Sequence, residues 1–261
     1  MNINEVQCKN VLTKSKLPEV DYCINPYVGC LHACVYCYAS FMKRFTGHLE
    51  DECGEFVDVK VNAPDVLKKE ITPRKKRGPI LLGSVTDAYQ PIEARYKITR
   101  KLLSILAEHD FSVSILTKSK LVTRDIDVLS KIEDCEVGLT ITSLSEQASR
   151  ILEPRAATPI ERLDALKSLK EAGVTTYAFV GPILPGITDL RAILTALQGK
   201  IDFVMFESLN VNASNRDKVQ VAFAKADVNC AIKEIDWKSI EIQARQISEK
   251  LGIKVKGFYC H

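Results

Sequence analysis

Three cysteines stand within eight residues, in the segment Asn25-Pro-Tyr-Val-Gly29-Cys30-Leu-His-Ala-Cys34-Val-Tyr-Cys37-Tyr38. The spacing is C-x3-C-x2-C. An extended chain advances ~3.3–3.6 Å per residue, so three thiolates this close converge on one compact object only if the loop curls. Gly29 at the loop's entrance is free to take backbone angles that other residues avoid. A closed structural zinc site wants a fourth ligand at familiar spacing, usually a second C-x2-C or an H-x3-H pair. The other six cysteines, Cys8, Cys23, Cys53, Cys135, Cys230 and Cys260, form no such pair. A bacterial ferredoxin run carries four cysteines, as C-x2-C-x2-C-x3-C-P. Three thiolates with no local fourth are what a [4Fe–4S] cluster with one open iron needs. His32, between two of the cysteines, reads as a loop residue.

Nine cysteines is an odd count, and nothing points to an oxidising compartment, so a disulfide framework is not expected. The scattered six read as small buried apolar residues or spare thiols. Across 261 residues, 46% hydrophobic and 26% charged content is ordinary globular composition. A net charge of +3 supplies little general attraction for a nucleic-acid backbone. The run Arg74-Lys-Lys-Arg77 reads as a turn kept in water, with a nucleic-acid contact as its alternative. Met1 to Lys16 is polar and lacks the apolar core of a signal peptide. No apolar run approaches the ~20 residues of a membrane helix. The expectation is a cytoplasmic protein with no membrane partner.

The elements that must position the cysteines show as alternating apolar runs and amphipathic stretches. Strands are expected at Tyr22–Val28, Pro79–Gly83, Phe111–Thr117, Glu136–Ile141, Val174–Val180, Phe203–Phe206 and Ile253–Phe258. Helices are expected near Tyr38–Arg44 and over Ala94–Glu108, Asp125–Lys131, Pro159–Ala172, Leu190–Leu197 and Trp237–Leu251. Gly173 sits where a helix C-terminal cap belongs. Short connections between alternating strands and helices mean parallel strands with right-handed crossovers. The expected fold is α/β: a partial (β/α)6 TIM-type barrel of parallel strands, open on one side. One domain spans 1–261, with its core at about 20–207 and the helix and strand of 236–258 closing the barrel. Chemistry in such folds sits at the C-terminal ends of the strands. Gly47–Asn62 reads as a loop with a short strand. Asn210–Ile235 reads either as an insertion shaping a pocket or as a surface excursion.

The C-x3-C-x-aromatic-C loop, with Tyr36 as its aromatic, resembles the radical S-adenosylmethionine (SAM) superfamily. That resemblance implies a [4Fe–4S] cluster on Cys30, Cys34 and Cys37, with SAM on the fourth iron. An electron delivered by a flavodoxin- or ferredoxin-type reductant then cleaves SAM, and the 5′-deoxyadenosyl radical abstracts a substrate hydrogen. Two rivals come from other classes: a non-catalytic electron carrier and a structural zinc protein.

The stretches NPYVGCLHACVYCYA, FVDVKVNAPDVLKKE, LLGSVTDAYQPIE, ILTKS and EPRAATPIERLDALKSLKEAG are similar to the spore photoproduct lyase-like group, from about Tyr22 to Pro185. The similarity implies that Tyr36 meets adenine through its backbone and that Thr86 contacts the SAM amino group. It places Lys118 and Thr140 on the SAM carboxylate, a task suited to a mobile ammonium. Ile183, within Gly181-Pro-Ile-Leu-Pro-Gly186, falls where the fifth strand packs on adenine. One departure stands out. Where the lyase carries a hydrogen-donating cysteine, this chain has Ser84, and a serine O–H is a much poorer hydrogen-atom donor. DNA photoproduct repair is therefore the alternative reading, and Tyr38, Ser84 and Cys260 are the candidates for returning a hydrogen. Thr86 and Thr140 also suit ordinary β-strand positions. Asp87 reads as a helix cap; Arg155 and Arg162 could meet a carboxylate or phosphate, but on exposed turns they read as solvated arginines.

Overall fold

A computed structural model describes residues 1–72, 77–228 and 235–261. Most of the basic run at 74–77, and Cys230, lie outside the described residues. The N-terminal third holds strands β1 (Asn2–Val6), β2 (Thr13–Lys14), β3 (Tyr22–Ile24) and β4 (Tyr27–Val28), a 3₁₀ helix (Tyr38–Phe45), β5 (Phe56–Lys60) and helix α1 (Ala63–Glu70). Next come β6 (Ile80–Leu82), α2 (Glu93–Tyr96), α3 (Ile98–Leu106), β7 (Val113–Thr117), α4 (Ile126–Leu129), β8 (Cys135–Thr140), α5 (Glu146–Leu152) and α6 (Pro159–Glu171). The last part holds β9 (Thr175–Ile183), α7 (Leu190–Leu197), β10 (Phe203–Ser208), α8 (Arg216–Lys225), α9 (Trp237–Lys250) and β11 (Val255–Tyr259).

The main sheet runs β11-β10-β9-β8-β7-β6-β3-β2, and every pairing in it is parallel except that of the edge strand β2. This is the partial barrel, and it is not closed: β11 extends the sheet beyond β10 instead of sealing it. Residue alternation sorts the two faces. Ile80, Leu82, Val113, Ile115, Val137, Leu139, Val204 and Phe206 are buried beneath the helices. Leu81, Ser114, Leu116, Glu136, Met205 and Glu207 are half-buried on the inner face, which opens to solvent on one side.

The expected first strand is two strands. Asn25-Pro26 breaks it, so β3 pairs with β6 while β4 pairs antiparallel with β5 in a separate sheet of order β1-β5-β4. The expected helix over Ala94–Glu108 breaks at Lys97, which takes the left-handed conformation at φ 55°. Buried Glu93 explains the break. Its carboxylate accepts the Thr99 and Arg100 backbone N–H groups, at 3.0 and 3.2 Å, at the start of α3, and also meets Tyr27 and Arg124. The Asn210–Ile235 stretch contains α8, which buries Val219, Ala222 and Phe223. Among the described residues no helix is long and apolar enough to cross a membrane.

Inside the barrel the Tyr177 ring lies over Gly138, where a Cβ would stand 2.2 Å from ring carbons. Tyr177 also stacks on Phe203 with centroids 5.0 Å apart and donates its hydroxyl to the Ile115 carbonyl at 3.1 Å. Gly138→Ala should therefore overpack this layer and lower the unfolding free energy by about 1–3 kcal/mol. Equilibrium urea unfolding measures it, and an unchanged midpoint would contradict the packing described.

Candidate active site

The cysteine loop leaves β4 through Gly29, at φ 79°, where a Cβ would meet the Phe56 carbonyl oxygen at 2.5 Å. Only glycine allows that approach. The loop is neither helix nor strand, so its polar backbone groups need partners from elsewhere. Gln90 supplies two: its Oε1 accepts the Leu31 N–H at 2.8 Å and its Nε2 donates to the Gly29 carbonyl at 3.1 Å. Thr86 donates to the same carbonyl at 2.5 Å and accepts from Gln90. The Val35 N–H donates to the Leu152 carbonyl at 2.9 Å, and Asn215 Nδ2 donates to the Tyr36 carbonyl at 3.1 Å. The Tyr36 ring sits in a second apolar cluster with Leu152, Leu184, Val219 and Phe223, which joins α5 and α8.

Two buried carboxylates complete the frame. Asp87 accepts from the Tyr89 N–H and the Thr117 hydroxyl at 2.8 and 2.7 Å, and from the Lys118 N–H at 2.9 Å. His32 Nε2 stands 3.1 Å from Asp87 Oδ2, within charge contact but out of line for a hydrogen bond. Burial opposes ionisation of Asp87, yet His32, Thr117 and the Lys118 N–H together hold its pKa well below the usual carboxylate range. Asp87 thus joins the ends of β6 and β7 to the cysteine loop; its Tyr89 bond is local, and the rest reaches further than a helix cap. Glu153 accepts from the Tyr36 hydroxyl and from Arg162. Arg162, 1% exposed, also donates to the Ala157 and Thr140 carbonyls at 2.8 and 2.9 Å. Burial opposes the Glu153 charge too, and Arg162 and Lys118 hold its pKa down. Neither arginine is merely solvated: Arg162 is buried on Glu153, and Arg155 pairs with Glu55.

Cys30, Cys34 and Cys37 line one pocket with Gly29, Met42, Cys53 and Val85. Burial, with the charge of Asp87, pushes the Cys30 thiol up to about 12, and burial also raises Cys34 and Cys37. Among the described residues no three His, Cys, Asp or Glu side chains are gathered closely enough to hold a single metal ion. An all-thiol donor set that shares a pocket without meeting at one point suits a polynuclear iron–sulfur centre, where each thiolate takes a different iron. The residues fit that group.

Lys118 Nζ lies 3.5 Å from Thr140 Oγ1 and 5.6 Å from the Tyr36 ring centroid. Burial lowers its pKa, but Cys34 and Glu153 raise it further, so it stays an ammonium. Thr86, by contrast, has its hydroxyl committed to the cysteine loop. Ile183 is 2% exposed and packed in the main core. The Ser84 hydroxyl bonds Asn25 Nδ2 at 3.0 Å, while its carbonyl accepts from Tyr38 at 2.5 Å. Cys260 is exposed, whereas its neighbour His261 turns toward the strand ends, with Nε2 3.0 Å from Glu207 Oε1 and its N–H on Ser208 Oγ at 3.1 Å. Burial, then the charges of Cys37 and Glu207, push the Tyr38 phenol up to about 12. Glu207, Gln90, Glu153 and Asn215 were missed in the sequence. Of these, Glu207 alone carried a signal, as a charged residue ending a strand on its inner face.

The sequence pattern of the radical SAM superfamily matches residues 24–196. An uncharacterized protein of Methanocaldococcus jannaschii is 38% identical over 218 residues, covering 84% of this chain and 82% of its own. A protein of Pseudomonas phage M6 named radical SAM Nalpha-GlyT isomerase is 23% identical over 176 residues, 66% of this chain and 36% of that one. Spore photoproduct lyase complexed with dinucleoside spore photoproduct superposes with a TM-score of 0.72 at 17% identity, covering 99% of this chain and 81% of the lyase. At that identity the superposition speaks for the fold.

Two outcomes follow from the carboxylates. Arg162→Met strands the buried Glu153 charge and should cost about 3–5 kcal/mol of stability. Arg162→Lys should not restore it, since one ammonium cannot serve three partners arranged around a planar fork. Asp87 has a folded pKa below its unfolded one, so its stabilisation is complete above about pH 4 and fades as pH falls further. The stability gap between the protein and Asp87→Asn, measured by urea unfolding, should be constant from pH 7 to 5 and narrow below 4. A gap that widened on acidification would reverse the assignment.

Proposed function

The chain belongs to the radical SAM superfamily, and from that premise we propose that it cleaves SAM reductively and abstracts a hydrogen atom from a substrate held over the strand ends. Cys30, Cys34 and Cys37 would hold a [4Fe–4S] cluster. When bound, that group supplies the electron that splits SAM into methionine and a 5′-deoxyadenosyl radical. The observation that carries the reading is Lys118: an ammonium beside Cys34 with one long hydrogen bond, free to take the SAM carboxylate together with Thr140. The Tyr36 carbonyl keeps a lone pair for adenine while Asn215 occupies the other. Burial and the Glu153 charge hold the Tyr36 phenol neutral, so it stays a donor that orients the loop and takes no part as a base.

The substrate would meet Tyr38, Glu207 and His261 at the ends of the 3₁₀ helix, β10 and β11. Ser84 offers only a hydroxyl where repair of a photoproduct would end on a thiol, so the proposed reaction is not that of the lyase. A flavodoxin- or ferredoxin-type protein in the cytoplasm would supply the electron.

Anaerobic reconstitution should give four irons and four sulfides per chain, and the cluster should be lost when all three cysteines become alanine. With dithionite and SAM, 5′-deoxyadenosine should accumulate slowly without substrate. Lys118→Ala should weaken SAM binding by roughly 1.5–3 kcal/mol, about 10- to 150-fold, through loss of a charge-assisted bond. A zinc-only protein after anaerobic purification, or an unchanged SAM dissociation constant in Lys118→Ala, would overturn the corresponding part.

A further inference from the structure

A fourth thiol faces the pocket that holds the three of the C-x3-C-x2-C loop. Cys53 lines it together with Cys30, Cys34 and Cys37. The other free cysteines among the described residues lie elsewhere: Cys8 on Asn62, Cys23 in β3, Cys135 at the start of β8, and Cys260 exposed at the far edge of the sheet.

Cys53 is not there by the drift of a surface loop, for the chain is pinned on both sides of it. After it, Gly54 takes φ 98° and lies so close to the cysteine loop that a Cβ would stand 2.4 Å from Ala33 Cβ. Arg155 donates to the Gly54 carbonyl at 2.5 Å and pairs with Glu55. Before it, Glu52 pairs with Lys218 at 2.7 Å, and His48 bridges Asp51 and Asp58 at 2.6 and 2.9 Å while stacking on Phe56. The Cys53 thiol points at the Ser40 carbonyl, 3.9 Å away in the first turn of the 3₁₀ helix that begins directly after Cys37. That contact places it on the Cys37 side of the pocket.

We propose that Cys53 is a reserve ligand, a thiolate positioned to replace Cys37 when that bond opens during cluster loading or oxidative loss. The exchange balances without a redox step: one iron–sulfur bond breaks at Cys37, one forms at Cys53, and the Cys53 proton passes to the released Cys37 thiolate. Thiolate is the ligating form, so the exchange needs only this proton transfer. A weak S–H···O contact is its alternative partner and costs little to give up. The inference rests on the cluster assignment made above.

The test compares reconstituted Cys30→Ala, Cys34→Ala and Cys37→Ala, each with and without Cys53→Ala, by iron and sulfide content and Mössbauer spectra. Cys37→Ala should retain several-fold more iron than Cys30→Ala or Cys34→Ala, and adding Cys53→Ala should bring it down to their level. Cys53→Ala alone should keep the full cluster. A Cys37→Ala protein as empty as the other two, or one that keeps its iron when Cys53 is also removed, would overturn the proposal. Thermal unfolding of each cluster-free variant checks folding, and Cys37→Val with the same comparison replaces any alanine variant that fails it. Wild-type protein that forms no four-iron cluster would overturn the reading beneath the proposal, a result distinct from either.

Discussion

A loop that turns three thiols into one pocket cannot also satisfy its own backbone, because the curled path leaves carbonyls and N–H groups without regular partners. The rest of the site answers that constraint. Gln90 and Thr86 serve the entrance at Gly29 and Leu31, the Leu152 carbonyl serves Val35, and Asn215 serves Tyr36. These partners come from the segment after β6, the end of α5 and the segment before α8. The loop's shape is therefore held by three distant parts of the chain at once. Apolar packing adds to this where the Tyr36 ring fills the space between α5 and α8.

Charge follows the same logic. Two buried carboxylates and three half-buried thiols would repel one another if ionised together. Arg162 sits against Glu153, the Thr117 hydroxyl and the Lys118 N–H donate to Asp87, and the Lys118 ammonium stands near Cys34 and Glu153. An ion pair as buried as Arg162–Glu153 gives little net stability against an apolar replacement of both partners. Its value lies in geometry: one guanidinium fixes the Glu153 carboxylate, the Ala157 carbonyl and the Thr140 carbonyl relative to each other. Thr140 carries the hydroxyl next to Lys118, so the Lys118–Thr140 pair is set from behind by the buried Arg162–Glu153 pair.

What could be read in the sequence divides along a physical line. β7 and α6 were legible because burying one face forces a periodic pattern, and β8 and β9 because burial on both faces leaves a short apolar run; α6 also has a full capping box at Thr158 and Glu161. β1 was not, since Asn-Ile-Asn-Glu-Val is mostly exposed and is a strand only through its pairing with β5. The break at Lys97 was hidden because its cause, Glu93, acts through bonds to residues on the next helix. The cysteines were legible from local spacing, whereas Arg162 read as an arginine solvated on an exposed turn, with a carboxylate contact as its alternative. Its partner Glu153 is nine residues away and meets it only when α5 and α6 fold together. Thr86 is a related case: its hydroxyl donates to the Gly29 carbonyl, and that partner lies too far along the chain to show in the sequence.

The inner face of the barrel is graded along its length. Below the strand ends, Tyr177 fills the space over Gly138 and stacks on Phe203, which makes an aromatic layer. Toward the C-terminal ends the side chains turn polar, with Lys118 after β7, Thr140 ending β8 and Glu207 in β10 beside His261. Gly181 lets Phe179 and Glu207 crowd together there, since a Cβ would stand 2.3 Å from the one and 2.8 Å from the other. The two charged groups at this end are opposite in sign and two strands separate β7 from β10. An anionic group entering the crevice is drawn to Lys118 and repelled by Glu207, and this attraction is strengthened where water is thin. The sheet order thus sets a direction across the opening, with the Lys118 ammonium at the β7 end and the Glu207–His261 pair at the β10 end.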